Sequence, residues 1–523
     1  MEPTPDRDAR AGLGERTFVD VHCHLFNLSH PGFTGFLDQR LEHSPARIFI
    51  EPFQRLLGRA IEARHVGLVS LWLMALVVAT PFLLLAAGCI GLWKITALVH
   101  VARRLINSLY LMETDIADQL LMVERDFLSL DDRLRTTRLD YFDDERMQRA
   151  TLAERSAFAR QAAELFRATP SIRARIRGRE YDTVILTPLV MDFGRRYNRQ
   201  IKTHYSYSSQ KSLEAQVIDL FSGIKRYLAQ SPFQVFEIYP FLGLNPPDFT
   251  SPERLTDFLG RVFVLDERAR YAQLKQCFER TLRDGDLAIT IRRDGAITMS
   301  GTDTGYLAGI KLYPPLGFDP WPEDPAALEK TRALYDFCDD HQVPITVHFQ
   351  ELAFQTASRA TRVTDPQKFV RVFEALRDKH QNAGSPMRLR VNFAHLGLKN
   401  RSNQYEESKW TDTIIQLMQR YPQNVYTDVA AMVFNPSLES KLTDLQRRCP
   451  ALKTNLLFGS DFPVSMLWVD SYRDYLAAFF DLAEKHPDYY RTCAPNALRF
   501  LFGTEEPKRD RGRERGREAQ IGR

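Results

Sequence analysis

Cysteine is scarce and dispersed. The six in this 523-residue chain, Cys23, Cys89, Cys277, Cys338, Cys449 and Cys493, lie far apart and form no CxxC pair. That excludes a disulfide framework and makes a reducing compartment, the cytoplasm, the expected location. The opening stretch MEPTPDRDARAGLGERT lacks an apolar core, so no secretory signal is expected. No P-loop and no strand-associated GxGxxG appears, which leaves nucleotide binding without support. Net charge is also small, at +4, and the segment Lys508–Arg523, with seven basic and three acidic residues, accounts for all of it. The rest of the chain is neutral, so no nucleic-acid partner is expected. The tail KRDRGRERGREAQIGR reads as solvated and disordered. No internal repeat of fixed period is visible.

Apolar material is not lacking. Hydrophobic residues make up 44% of the chain and aromatics 11%, ample for a large core. Eight short apolar runs read as buried strands: Thr17–His24, Thr183–Val190, Gln234–Tyr239, Leu307–Tyr313, Pro344–His348, Leu389–His395, Asn424–Val429 and Asn455–Asp461. Helix-like segments mostly separate them. This alternation fits an α/β fold of the (β/α)8 TIM-barrel type, although a doubly wound open sheet alternates too. A plain barrel needs only about 250 residues, so insertions are required. The largest falls after strand 1. The expected division is residues 1–30 for the N-terminus and first strand, 31–180 for a mainly helical inserted cap, 181–503 for the remaining barrel and 504–523 for the charged tail. A smaller insertion carries the turn signal Arg293-Asp294-Gly295 inside Ala288–Met299, which predicts a hairpin.

Within the cap, Val66–Trp93 is 28 residues without a charge or a histidine, and about 20 apolar residues suffice to span a bilayer. A single crossing would separate strand 1 from strand 2. The segment must therefore enter and return, lie in the interface, or be buried in protein. Basic residues flank it on both sides, Arg55, Arg59 and Arg64 before, Lys94, Arg103 and Arg104 after, a pattern that keeps both ends cytoplasmic. Membrane association through residues 66–101, on the cytoplasmic face, is the expectation. A helix pair packed in the cap or in a homo-oligomer interface is the alternative.

Chemistry concentrates at the ends of the apolar runs. In Val19-Asp20-Val21-His22-Cys23-His24 the two histidines are two residues apart and share one face of a strand. That suits two imidazoles on one metal ion. Pro344-Ile345-Thr346-Val347-His348 ends in His348, Val391-Asn392-Phe393-Ala394-His395 in His395, and Leu456-Leu457-Phe458-Gly459-Ser460-Asp461 in Asp461. Four of the 12 histidines and an aspartate thus stand where barrel strands converge on one mouth. Each alone reads as structural; together they read as a site. Cys23 points away from the two histidines and reads as a small buried hydrophobe. Asp20, Glu351 and Asp428 are weaker candidates, for which a structural role weighs as much as a functional one.

The motifs VDVHCHLFN, GIKLYPPLGF, VPITVHFQ, NFAHLG and LLFGSDFP resemble strand-end motifs of the amidohydrolase superfamily. They look most like its amidohydrolase-related branch, which also holds decarboxylases similar to aminocarboxymuconate-semialdehyde decarboxylase. The resemblance covers Thr17–Asn27 and, with gaps, Tyr181–Gly503. It implies that His22, His24 and His348 bind a divalent metal with Asp461 as further ligand and proton shuttle. It places His395 beside the metal, polarising a substrate carbonyl or ligating a second ion. Zinc is the first choice of metal, with manganese, iron or cobalt also suited to these ligands. Lys311 stays open between a carbamylated bridge, a seat for an anionic substrate group and a solvated or ion-paired lysine. Tyr313 is a substrate contact by position only.

The leading expectation is hydrolysis of a C–N, ester or lactone bond in a small-molecule substrate by a metal-activated water. Non-oxidative decarboxylation at the same site is the second. A membrane-associated scaffold with an inactive barrel is the third, disfavoured by the intact ligand set.

Overall fold

The computed structural model describes residues 14–27, 30, 111, 114–136, 164, 171–192, 211, 213–279, 288–291, 297–300, 305–350, 365–401 and 404–503. The apolar segment 66–101, most of the expected cap, Glu351 and the tail 504–523 lie outside them. Among the described residues no helix is long and apolar enough to cross a membrane.

Nine short strands carry the architecture. They are β1 (Thr17–Cys23), β2 (Thr183–Pro188), β3 (Phe236–Ile238), β4 (Phe241–Gly243), β5 (Gly309–Leu312), β6 (Ile345–Val347), β7 (Val391–Phe393), β8 (Val425–Asp428) and β9 (Leu456–Leu457). Each of the eight apolar runs contains one of them. β4 is the exception: Pro240 ends the run by removing a backbone donor, and the strand resumes immediately after it. The strands form a three-stranded sheet β1–β2–β3 and a six-stranded sheet β9–β8–β7–β6–β5–β4, and every neighbouring pair is parallel. Every residue of β1, β2, β5 and β8 is buried. That is why these runs are apolar throughout instead of alternating.

Backbone hydrogen bonds link the two sheets at both edges. Val190 N–H donates to Phe241 O at 3.0 Å, next to a parallel bridge between Leu189 and Phe241. At the other edge Val21 N–H donates to Phe458 O at 3.1 Å, and Asp461 N–H to His22 O at 2.6 Å.

Helices return the chain between strands: α1 (Ile116–Leu128) and α2 (Leu213–Gln230) first, then α3 (Pro252–Val262) and α4 (Glu267–Gln276) between β4 and β5. Among the described residues α5 (Pro325–Asp340) follows β5, α6 (Gln367–Ala383) follows β6, α7 (Lys409–Arg420) follows β7, and α8 (Ser437–Arg448) with a short helix Leu452–Asn455 follows β8. The chain closes with α9 (Tyr472–Lys485) and α10 (Pro495–Phe502). Local sequence fixes their ends. Asp324 caps α5 through Ala327 N–H at 2.7 Å, with Pro325 in the first turn. Ser408 and Thr411 form a capping box on α7. Between β1 and β2 lie α1, a short helix Asp132–Thr136 and an antiparallel hairpin of Ala174–Ile176 with Arg179–Tyr181. Strands Ala288–Ile291 and Ile297–Ser300 pair antiparallel, and the turn residues Arg293, Asp294 and Gly295 between them lie outside the described residues. The five described cysteines are all buried and free.

One buried carboxylate anchors the start of β7. Asp339, fully buried at the end of α5, accepts the backbone N–H groups of Arg388 at 2.7 Å and Leu389 at 2.8 Å and pairs with His380 of α6. Asp339→Ala would strand these donors away from water. A loss of about 3 kcal/mol in urea unfolding is expected; a change below about 0.5 kcal/mol, the ordinary surface value, would contradict this anchoring.

Candidate metal centre

The parallel strands deliver their polar residues to one end. His22 lies in β1 and His24 just beyond it; Lys311 lies in β5 with Tyr313 next; His348 follows β6, His395 follows β7, Asp428 ends β8 and Asp461 follows β9. Gly459 permits the last approach: a Cβ there would stand 2.5 Å from the Cβ of His22. Four non-glycine residues in this region adopt left-handed backbone, His395 (φ 64°), Leu396 (φ 54°), Ala431 (φ 56°) and Asp461 (φ 56°). Each such conformation costs about 1–3 kcal/mol and is a mark of functional loops.

Asp428 is the hub. Its Oδ2 accepts from His22 Nδ1 at 2.9 Å and Asn392 Nδ2 at 2.7 Å, and its Oδ1 from the backbone N–H of His395 at 2.9 Å and of Ala430 at 3.1 Å. Burial opposes its charge, but the hydrogen bonds it accepts from the His22 imidazole and the His395 backbone N–H hold the carboxyl well below the usual range. Burial lowers His22 to about 4 against the attraction of Asp428. His22 is therefore neutral, with its proton on Nδ1 facing Asp428 and a lone pair on Nε2.

The same logic sets the other rings. His24 Nδ1 lies 2.9 Å from Leu189 O, a carbonyl that can only accept, so Nδ1 carries a proton and Nε2 is turned toward the site. His395 Nδ1 lies 3.1 Å from Ala430 O, which leaves its Nε2 to accept from His348 Nδ1 at 3.2 Å. His348 then presents Nε2 as a lone pair. Burial, and after it the neighbouring His395, Lys311, His22 and His24, hold His348 well below its ordinary value and so neutral.

The Nε2 atoms of His22 and His348 are thus unprotonated, and His24 Nε2 stands with that of His22 beside Asp461. His22 Nε2 and His24 Nε2 stand 3.5 Å and 3.3 Å from Asp461 Oδ1. Two imidazole nitrogens this close to a carboxylate call for a proton or a cation among them. The buried His22 Nε2 and His348 Nε2 have no hydrogen-bond partner. His22, His24 and Asp461 are the group placed closely enough to share an ion, their ligand atoms all within 4.8 Å of one another. His348 lies outside that triangle; its ring is 4.7 Å from that of His395 and stacks on Tyr313 at 4.4 Å. The donor set fits a divalent metal.

Asp20 does not join the cluster. It accepts from the backbone N–H of His22 at 3.2 Å and of Ser460 at 3.0 Å and from Tyr472 Oη at 3.1 Å, tying β1 to the Asp461 loop. Burial pushes its carboxyl up to about 7. Cys23 is buried at 3% exposure. Three participants went unnoticed in the sequence: Asn392, the Leu189 carbonyl and Tyr472. Only Asn392 carried a signal, as a polar residue inside an apolar run.

The hub is testable. Asp428→Asn replaces an all-acceptor carboxylate with an amide whose NH2 must face either His22 and Asn392 or two backbone N–H groups. Either choice disturbs the His22 tautomer. Zinc affinity, measured by competition with a chromogenic chelator, should fall about 10–100-fold; an unchanged affinity would show that Asp428 does not orient His22.

Residues 284–503 match the amidohydrolase family model. No curated protein matches the chain in sequence. Similar solved structures include a probable 2-pyrone-4,6-dicarboxylic acid hydrolase from Acinetobacter baumannii, 12% identical, with a TM-score of 0.32 over 62% of this chain and 84% of that one. A dihydroorotase from Campylobacter jejuni is 11% identical, with a TM-score of 0.30 over 63% and 77%. An amidohydrolase from Mycobacterium avium subsp. paratuberculosis is 12% identical, with a TM-score of 0.28 over 62% and 71%. The matched region includes β5 to β9, which supply Lys311, His348, His395, Asp428 and Asp461. The chain is an enzyme of hydrolase or related type.

Proposed function

We propose that the chain is a metal-dependent hydrolase that cleaves a C–N, ester or lactone bond at the mouth of a (β/α)8 barrel. The hydrogen bonds between β1 and the Phe458–Asp461 segment, and those between Val190 and Phe241, support closure of the two sheets into one barrel with β3 and β4 as halves of one strand. The carrying observation is that His22 and His24 bring their Nε2 atoms to Asp461 at the buried strand ends, close enough for the three to share one ion.

His22, His24 and Asp461 would hold the ion, with His348 at the end of β6 as the further ligand. When bound, a divalent ion, zinc in the first instance, supplies Lewis acidity and a water of lowered pKa. Asp461 takes the proton of the attacking water and returns it to the leaving nitrogen or oxygen. His395 receives the His348 Nδ1 proton in a hydrogen bond and so keeps His348 in the tautomer with a free Nε2. Asp428 does the same for His22.

The test uses full-length protein loaded with zinc and a panel of simple amides, esters and lactones. Hydrolysis abolished by chelator and restored by metal is expected. No hydrolysis across the panel, together with release of CO2 from carboxylic acids, would replace this reading by decarboxylation.

A further inference from the structure

Lys311 is the group at this site that the reaction above leaves unused. It lies at the end of β5, between Gly243 of β4 and Thr346 of β6 in register. It is 1% exposed, yet its Nζ has no hydrogen-bond partner and forms no ion pair with any described carboxylate. Asp428 and Asp461 attract it from a distance. Asp428 has no oxygen to offer it, being engaged by four donors, and Asp461 makes no ion pair with it while its Oδ1 faces His22 and His24. A buried ammonium without a partner is among the costliest arrangements a protein can hold. Such an arrangement persists where something outside the chain completes it.

We propose that Lys311 seats a carboxylate of the substrate, so that the enzyme acts on an anionic molecule; this rests on the hydrolase reading above. Three observations favour it. With a divalent ion bound, the charges of Asp428 and Asp461 are already offset, and Lys311 adds a positive charge that no described carboxylate balances. Placement fits as well: Nζ lies 5.6 Å from the Tyr313 ring centroid, and that ring stacks on His348. A carboxylate on Lys311 therefore sits one ring away from the His348 Nε2 lone pair, which brings the rest of the substrate to the reacting centre. The competing role, a carbamylated lysine bridging two metals, needs a second set of ligands. His395 Nε2 is committed to His348, and among the described residues His22, His24 and Asp461 form the one group placed to hold an ion. Burial lowers Lys311 to about 8, which leaves it mostly charged at neutral pH.

The experiment compares binding of malonate with that of its neutral analogue malonamide to zinc-loaded full-length protein by calorimetry. Wild type, Lys311→Met and Lys311→Arg are examined, with zinc content and thermal melting read on each. Wild type should prefer malonate by about tenfold or more, the size of one charge-assisted hydrogen bond. Lys311→Met should lose that preference with zinc content unchanged, and Lys311→Arg should keep most of it. If Lys311→Met does not fold, Lys311→Arg decides, because a lost preference there with zinc retained points to a role other than charge. A malonate preference equal in wild type and Lys311→Met overturns the proposal. Two zinc ions per wild-type chain, falling to one in Lys311→Met, overturns it in favour of the bridge. Absence of zinc from wild type is a failure of the hydrolase reading instead, and the lysine is then judged by the same malonate preference on the metal-free chain.

Discussion

The double variant His22→Ala/His24→Ala is expected to hold no metal. These residues supply the two Nε2 atoms that face Asp461, and methyl groups cannot replace them. A zinc site with two of its four ligands removed binds too weakly to survive purification, so content should fall from about one ion per chain to near zero. The fold should persist, because β1 is held to β2 along most of its length and to Phe458 through Val21. Far-UV circular dichroism and a cooperative melt check that half; elemental analysis checks the other. Metal retained at the wild-type level would show that the histidine pair is not the metal's seat, whatever else the protein does.

Asp461→Asn should leave the shape of the site intact and stop the chemistry. The amide is nearly isosteric and its carbonyl oxygen still faces His22 and His24, so a substantial share of the metal should remain. What it cannot do is accept the proton of the attacking water and release it to the leaving group. Losing a general acid–base group lowers rates by about 10²–10⁴, and the loss should fall on kcat with KM little changed, because the role exists only in the transition state. The measurement is steady-state kinetics on whichever amide, ester or lactone the wild type turns over, normalised to bound zinc. A kcat within about threefold of wild type would remove Asp461 from proton transfer, since the effect expected of such a group is far larger.

Much of this was legible before any coordinates. Burial on both faces writes itself into a parallel strand as an unbroken apolar run, so β1, β2 and β5 to β9 all fall inside runs read from the sequence. The polar residue that ends such a run stands out against it, which is how His22, His24, His348, His395 and Asp461 came to notice. Other features have no local signature. β4 was missed because Pro240 looks like a strand terminator, whereas here it sits at the point where the chain changes pairing partner from β2 to β5. Asp428 reads as an ordinary strand-end acid; its four donors come from segments that only the fold brings together. The tautomer of His348 depends on Ala430 O, and that dependence passes through His395. Left-handed backbone at His395 and Asp461 is likewise invisible, since neither residue type demands it and the tertiary contacts impose it.

The placement of His22, His24 and Asp461, with their ligand atoms all within 4.8 Å of one another, says that the site is assembled to receive one cation. Elemental analysis of the full-length protein, purified without chelator, tests that most directly. The account predicts about one divalent ion per chain. No bound metal, even after incubation with zinc or manganese, would contradict it.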